Sequence, residues 1–121
     1  MALIFTVDDD ANIRGLIKAL LEDRGHEVVA LENGKQCLDR LDENPSVVFL
    51  DVAMPMMDGM EILKSIKNLK NDLPVIMVTA FDVTDSAVKA MKLGAFDYIV
   101  KPFDELRLFS VLDKAIEQTT L

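Results

Sequence analysis

At four places in this sequence an apolar run gives way to a side chain that can do chemistry. Leu3-Ile4-Phe5-Thr6-Val7 runs into Asp8 and Asp9, and Val47-Val48-Phe49-Leu50 runs into Asp51. Val75-Ile76-Met77-Val78 delivers Thr79, and Tyr98-Ile99-Val100 delivers Lys101. A wet loop accounts for one such residue. Three carboxylates, a hydroxyl and an ammonium, each placed where an apolar run ends, ask for a common site.

The chemistry of that set is specific. Carboxylates about 5 Å apart repel by roughly 3 kcal/mol per pair at an effective dielectric of about 20. Brought together without a counterion, Asp8, Asp9 and Asp51 would weaken the fold at neutral pH, and a dication removes that strain. The ligands are hard oxygens with no imidazole or thiolate beside them. That favours Mg2+ or Mn2+ over zinc, with water left in the shell for a phosphate oxygen to replace. Lys101 adds a second positive charge and Thr79 a neutral donor. Such a site suits a phosphoryl group, with Asp51 as the nucleophile that carries it as an acyl phosphate.

The elements that must position these residues alternate. Leu3–Val7 reads as a first strand, followed by a helix from about Ala11 to Arg24 (Ile13, Leu16, Ile17, Leu20 and Leu21 at helical spacing) that Gly25 stops. Glu27–Leu31 is a charged, hence edge, strand. Asn33-Gly34 opens a short helix to about Leu41, and Asn44-Pro45 closes it. Val47–Leu50 has no polar alternation, as expected of a parallel strand covered on both faces. Pro55 holds Met54 extended and sends the chain into a loop before Asp58-Gly59 starts a third helix, about Met60 to Leu69, with Ile62, Leu63, Ile66 and Leu69 on one face. Val75–Val78 is a further buried strand. A fourth helix, about Thr84 to Leu93, begins at a Thr84/Asp85 cap and ends at Gly94. Tyr98–Val100 is the last strand, and Leu106, Phe109, Val111, Leu112, Ala115 and Ile116 mark a final helix.

Five repeats of strand then helix predict an α/β fold: a doubly wound, five-stranded parallel sheet with helices on both faces. In the flavodoxin-like order 2-1-3-4-5, strands one and three are neighbours, which puts Asp8, Asp9 and Asp51 together at the C-terminal edge where such sheets bind ligands.

With 121 residues, half of them apolar, the chain is expected to form one domain, residues 1–121, with no output domain of its own. The net charge of −8 argues against direct nucleic acid binding. A single cysteine, Cys37, excludes an internal disulfide and reads as buried filler. Neither a secretion signal nor an apolar run of about 18 residues is present, so a cytoplasmic location without membrane contact is expected.

The blocks Val7-Asp8-Asp9, Asp51-Val52-Ala53-Met54-Pro55-Met56-Met57-Asp58-Gly59-Met60-Glu61, Val78-Thr79-Ala80 and Tyr98-Ile99-Val100-Lys101-Pro102-Phe103 resemble, in order and across nearly the whole chain, the receiver domain of two-component response regulators. The resemblance implies a phosphorylatable switch. Asp51 would accept a phosphoryl group from a phosphohistidine on a sensor histidine kinase or phosphotransfer protein, and the domain would catalyse only its own phosphorylation and dephosphorylation. Asp9, Asp51 and the backbone carbonyl of Ala53 would hold Mg2+, with Asp8 helping through water. Lys101, Thr79 and the backbone of Ala80 would bind the phosphoryl oxygens, and the Lys101-Pro102 peptide would be cis. Thr79 would turn inward and Tyr98 follow it, reshaping the surface of the fourth helix, last strand and last helix for a partner or an output domain, with dimerisation among the responses. Ala53 and Phe81 stand where family members set the phosphoryl lifetime; neither can orient a water, so slow self-dephosphorylation is expected.

Two other chemistries share parts of the pattern. A Mg2+-dependent phosphohydrolase with an aspartyl nucleophile would want a second aspartate where Ala53 stands, and a substrate cap. A flavin mononucleotide carrier would want Ser, Thr or Gly in the first loop, where this chain has aspartates. Of the remaining polar residues, His26 reads as a solvated turn residue and Asp10 as a helix cap. Met54, Met56 and Met57 read as loop packing. Lys89 and Lys92 are expected to face Asp97, Arg107, Asp113 and Lys114 across a mixed, solvated surface.

Overall fold

The computed structural model describes residues 2–51, 53, 54, 57–79 and 85–120. Five parallel strands form one sheet: β1 (Leu3–Val7), β2 (Glu27–Leu31), β3 (Val47–Asp51), β4 (Val75–Thr79) and β5 (Asp97–Val100), in the spatial order 2-1-3-4-5. Between and after them run α1 (Ala11–Asp23), α2 (Gly34–Asp39), α3 (Gly59–Leu69), α4 (Asp85–Lys92) and α5 (Glu105–Thr120). This is the flavodoxin-like arrangement expected from the alternation.

Side-chain alternation on the central strands divides the core in two. Val48 and Leu50 of β3, with Val75 and Met77 of β4, pack against Cys37 of α2, Ile62, Leu63 and Ile66 of α3, and Ala90 of α4. Val47, Phe49, Ile76 and Val78 point the other way, onto Ile17 and Leu21 of α1 and Leu108, Val111, Leu112 and Ala115 of α5. Both central strands are buried along their whole length, which is why neither shows polar alternation. Register then aligns their ends. Val7 lies opposite Leu50, Asp51 opposite Val78, and Thr79 opposite Val100, so the chain leaves β1, β3, β4 and β5 at one edge.

Several local expectations are corrected. The segment after Asp51 is not simply a loop: Ala53–Met54 pairs antiparallel with Met57–Asp58, a short ribbon that ends where α3 begins at Gly59. The second helix stops at Asp39 and is followed by a 3-10 turn, Leu41–Glu43, closed by Asn44 in the left-handed region (φ 59°). Leu69 and Leu106 are 64% and 76% exposed. Leu69 is the last residue of α3, beyond the sheet it would cover, and Leu106 precedes the turn at which Leu108 first reaches the core. Leu16 is also exposed, because the buried stripe of α1 runs through Ile17 and Leu21. Gly25 and Gly94, with φ of +90° and +104°, end the chain's turn out of α1 and α4 as expected. Thr84, half of the anticipated α4 cap, lies outside the described residues. Among the described residues no helix is long and apolar enough to cross a membrane.

Candidate functional site

The edge where these strands end carries the polar set. Asp8 follows β1 and still belongs to the ladder, its N–H donating to Leu31 O at 3.1 Å. Its side chain is buried: Oδ1 accepts from the Asp10 N–H at 2.9 Å and Oδ2 from Lys101 Nζ at 3.0 Å. Asp10 is extended (φ −84°, ψ 112°) and caps α1 by accepting from the Asn12 N–H at 2.8 Å, as its position suggested. Asp51 and Thr79 are the last residues of β3 and β4 and are buried, 5% and 4% exposed. Lys101 leaves β5 with its N–H donating to Thr79 O at 2.6 Å, and the peptide joining it to Pro102 is cis.

Three carboxylates meet here. One oxygen each of Asp8, Asp9 and Asp51 lie within 4.8 Å of one another, with Asp8 and Asp51 buried and Asp9 exposed. Lys101 Nζ stands 3.0 Å from Asp8 Oδ2 and 3.7 Å from Asp51 Oδ2. Burial works against the charge on this ammonium, but the hydrogen bond it donates to Asp8 and the charges of Asp51, Asp8 and Asp10 outweigh it and hold the group above its ordinary range. It is therefore a cation at neutral pH. At such spacing each carboxylate pair repels by roughly 3 kcal/mol at an effective dielectric of about 20, and one ammonium set against three carboxylates leaves the pocket net negative.

The donor set fits a small hard cation. All three side chains offer oxygen; ligands about 2.1 Å from an octahedral ion lie about 3.0 Å apart when adjacent and about 4.2 Å when opposite, so oxygens within 4.8 Å of one another would close by up to about 1.8 Å around the ion, a side-chain adjustment. With Asp9 on the solvent side, the pocket has an open mouth through which water and a phosphate oxygen can enter.

The remaining expected site residues are placed as follows. Tyr98 lies on β5, 37% exposed, opposite Met77 in register, and its carbonyl accepts from Arg107 Nη2 at 3.0 Å. The backbone of Ala53 forms the first residue of the ribbon, two positions after Asp51. Ala80 and Phe81 lie outside the described residues. His26 is not a solvated turn residue. It is half-buried, with Nδ1 accepting from the Ala2 N–H at 3.2 Å; burial, the N-terminal charge and Arg24 push its pKa down, against Asp113. Asp113 does not join the surface of α4 either. It pairs with Arg24 at 3.5 Å, the guanidinium lying 4.3 Å from the centre of the Phe109 ring, whereas Asp97 and Arg107 do pair, at 3.2 Å. Cys37 is buried as filler, its thiol pushed up to about 12 by burial. Sequence reasoning missed Arg14, which reaches the Asp8 carbonyl from α1; a cation in a helix's first turns was the available signal.

The sequence model described as the response regulator receiver domain matches residues 4–113. The chain belongs to that family. As a receiver domain it is 40% identical over 119 residues to the transcriptional regulatory protein ZraR of Klebsiella oxytoca, covering 98% of this chain and 27% of that protein. It is likewise 40% identical over 115 residues to the DNA-binding transcriptional regulator NtrC of Escherichia coli (strain K12), covering 94% of this chain and 24% of that one. The chain thus spans about a quarter of the length of these relatives. Among solved structures, the receiver domain of NtrX from Brucella abortus superposes with a TM-score of 0.89 at 36% identity, covering 94% of this chain and 98% of that one. The chemotaxis protein CheY4 of Vibrio cholerae gives 0.89 at 29% identity, covering 95% and 98%.

Proposed function

We propose that this receiver domain is a phosphorylatable switch with Asp51 as its acceptor. The observation that supports it most is the bridging of two buried carboxylates by one partly buried lysine, with a third, exposed carboxylate at the same mouth. An Asp51 carboxylate oxygen attacks the phosphorus of a phosphohistidine; the P–N bond breaks and the imidazole leaves. The donor is a sensor histidine kinase or a phosphotransfer protein. Bound Mg2+, with Mn2+ able to replace it, would be held by Asp9, Asp51 and the Ala53 carbonyl, with Asp8 acting through water, and would neutralise charge on the transferring oxygens. Lys101, the Thr79 hydroxyl and the Ala80 N–H receive the remaining oxygens and stabilise the acyl phosphate.

The response is a population shift. Thr79 and Lys101 contact the phosphoryl group better in the active arrangement, and Tyr98 moves from its exposed position inward behind Thr79. The shift cannot exceed that difference in contacts; moving a 1:99 mixture to 99:1 takes about 5.5 kcal/mol. The α4–β5–α5 surface then presents a changed face to a downstream protein, to an output domain of the kind found in the transcriptional regulators it resembles, or to a second copy. The domain itself makes no nucleic acid or membrane contact in this reading, acts in the cytoplasm, and spans residues 1–121.

Incubation with acetyl phosphate and Mg2+, followed by intact mass, tests the reading. It expects a gain of one phosphoryl group that disappears with EDTA and in Asp51→Asn; a gain surviving either change contradicts it. Phosphoryl loss should be slow, because apolar Ala53 and Phe81 cannot orient water. Phe81→Glu combined with Ala53→Asn is expected to shorten the lifetime in a radiolabel decay assay, because both new side chains can orient the attacking water. An unchanged decay rate would refute the role of that pair.

A further inference from the structure

We infer that Arg14 is a positioning residue for the acidic pocket, holding the turn between β1 and α1 so that Asp9 stands in register with Asp8 and Asp51. The inference rests on reading that pocket as a Mg2+ site. Asp8 is tied down on every side. Its N–H is bonded to Leu31 O, Oδ1 to the Asp10 N–H, and Oδ2 to Lys101. Its one other polar group, the carbonyl, accepts from Arg14 Nη1 at 2.8 Å. That carbonyl belongs to the peptide joining Asp8 to Asp9, so the orientation of this peptide fixes where the Asp9 carboxylate points. Asp9 is exposed, and among the described residues no hydrogen bond to its side chain is seen. The bond from Arg14 therefore supplies an anchor that Asp9 does not supply for itself.

Arg14 stands in a place that helix physics alone does not favour. It is the fourth residue of α1 (Ala11–Asp23), close to the end where unpaired N–H groups repel a cation. Its own N–H makes the ordinary helical bond to Asp10 O at 3.0 Å, so the backbone needs nothing from its side chain. Arg14 is partly buried, and the contact its guanidinium makes is the Asp8 carbonyl it holds.

Removing Arg14 has two opposed effects on a cation site. Losing the anchor weakens metal binding, while losing a positive charge strengthens it. Salt separates them: near 0.5 M KCl, charge effects beyond roughly 4 Å are screened, whereas a misplaced ligand stays misplaced. The test is a calorimetric Mg2+ titration of the whole chain at that salt, for wild type, Arg14→Met and Arg14→Lys, with melting in EDTA alongside. Arg14→Met is expected to raise the half-saturating Mg2+ concentration roughly tenfold, as lost outer-shell partners of metal ligands commonly do. Arg14→Lys, which keeps one donor for the same carbonyl, is expected to recover most of that loss. Phosphorylation by acetyl phosphate should need correspondingly more Mg2+ in Arg14→Met but reach the wild-type plateau. An unchanged half-saturation overturns the inference, whether or not the melting temperature falls, because a merely structural arginine would move only the latter. If Arg14→Met does not fold, Arg14→Gln takes its place under the same criteria. Failure of the wild type to bind Mg2+ overturns the reading of the pocket, and this inference with it.

Discussion

Lys101 is the residue on which the electrostatics of the pocket turn. It bridges Asp8 and Asp51, both nearly inaccessible to water, so its removal leaves two buried carboxylates facing each other. Lys101→Met is expected to lower stability by about 2–3 kcal/mol in EDTA, the cost typical of losing one partner of a buried charged hydrogen bond, with most of the loss recovered in excess Mg2+. Urea unfolding at both conditions checks this; an equal loss with and without Mg2+ would contradict it. The pH dependence has a definite sign. Lys101 is held above its ordinary value of 10.5, so its contribution is fully present below that pH and is lost only as pH rises through the higher folded value. The stability difference between wild type and Lys101→Met should therefore not fall between pH 7 and 9. These residues were legible in the sequence because each follows an apolar run. Arg14 and His26 were not, since a helical arginine and a turn histidine look alike in any context until a distant carbonyl or N–H is found beside them.

The strands were legible almost to the residue, because burial on both faces forbids polar alternation and marks β3 and β4 as continuous apolar runs. The ribbon at Ala53–Met54 and Met57–Asp58 was not, since two-residue strands carry no periodicity to read. Helix interiors were predictable and helix ends less so: Leu69 and Leu106 keep the spacing of an inward face but sit past the core that would cover them. Capping is the element-level feature with the clearest energetic consequence. Asn33 Oδ1 accepts from the Gln36 N–H at 2.9 Å while Gln36 Oε1 accepts from the Glu32 N–H at 2.7 Å, a variant of the capping box that reaches one residue before the cap and starts the short α2. Asn33→Ala should cost about 1 kcal/mol in urea unfolding, and a change below a few tenths would show that α2 is held by Cys37 and its packing alone.

Two half-cores grip one sheet, and the sheet's rigid end presents the pocket while its β5 side meets a more open surface. Val88 and Met91 of α4, Tyr98 of β5 and Leu106 of α5 are all exposed apolar or aromatic residues, which is the motive for placing the response there. Beryllofluoride with Mg2+, a mimic of the phosphoryl group, is expected to shift amide resonances along α4, β5 and the start of α5 more than those of α2, which packs on the far side of the pocket from Lys101. Shifts confined to the turns that carry Asp8, Asp9 and Asp51 would contradict a coupled surface. The central claim is narrower, that one aspartate in this pocket carries the phosphoryl group. Borohydride reduces an aspartyl phosphate to homoserine, so trapping after acetyl phosphate and Mg2+, followed by peptide sequencing, reads the acceptor directly. Homoserine is expected at position 51 only when both donor and Mg2+ are present. Homoserine at another aspartate, or none at 51 under conditions where the protein has gained a phosphoryl group, would contradict it.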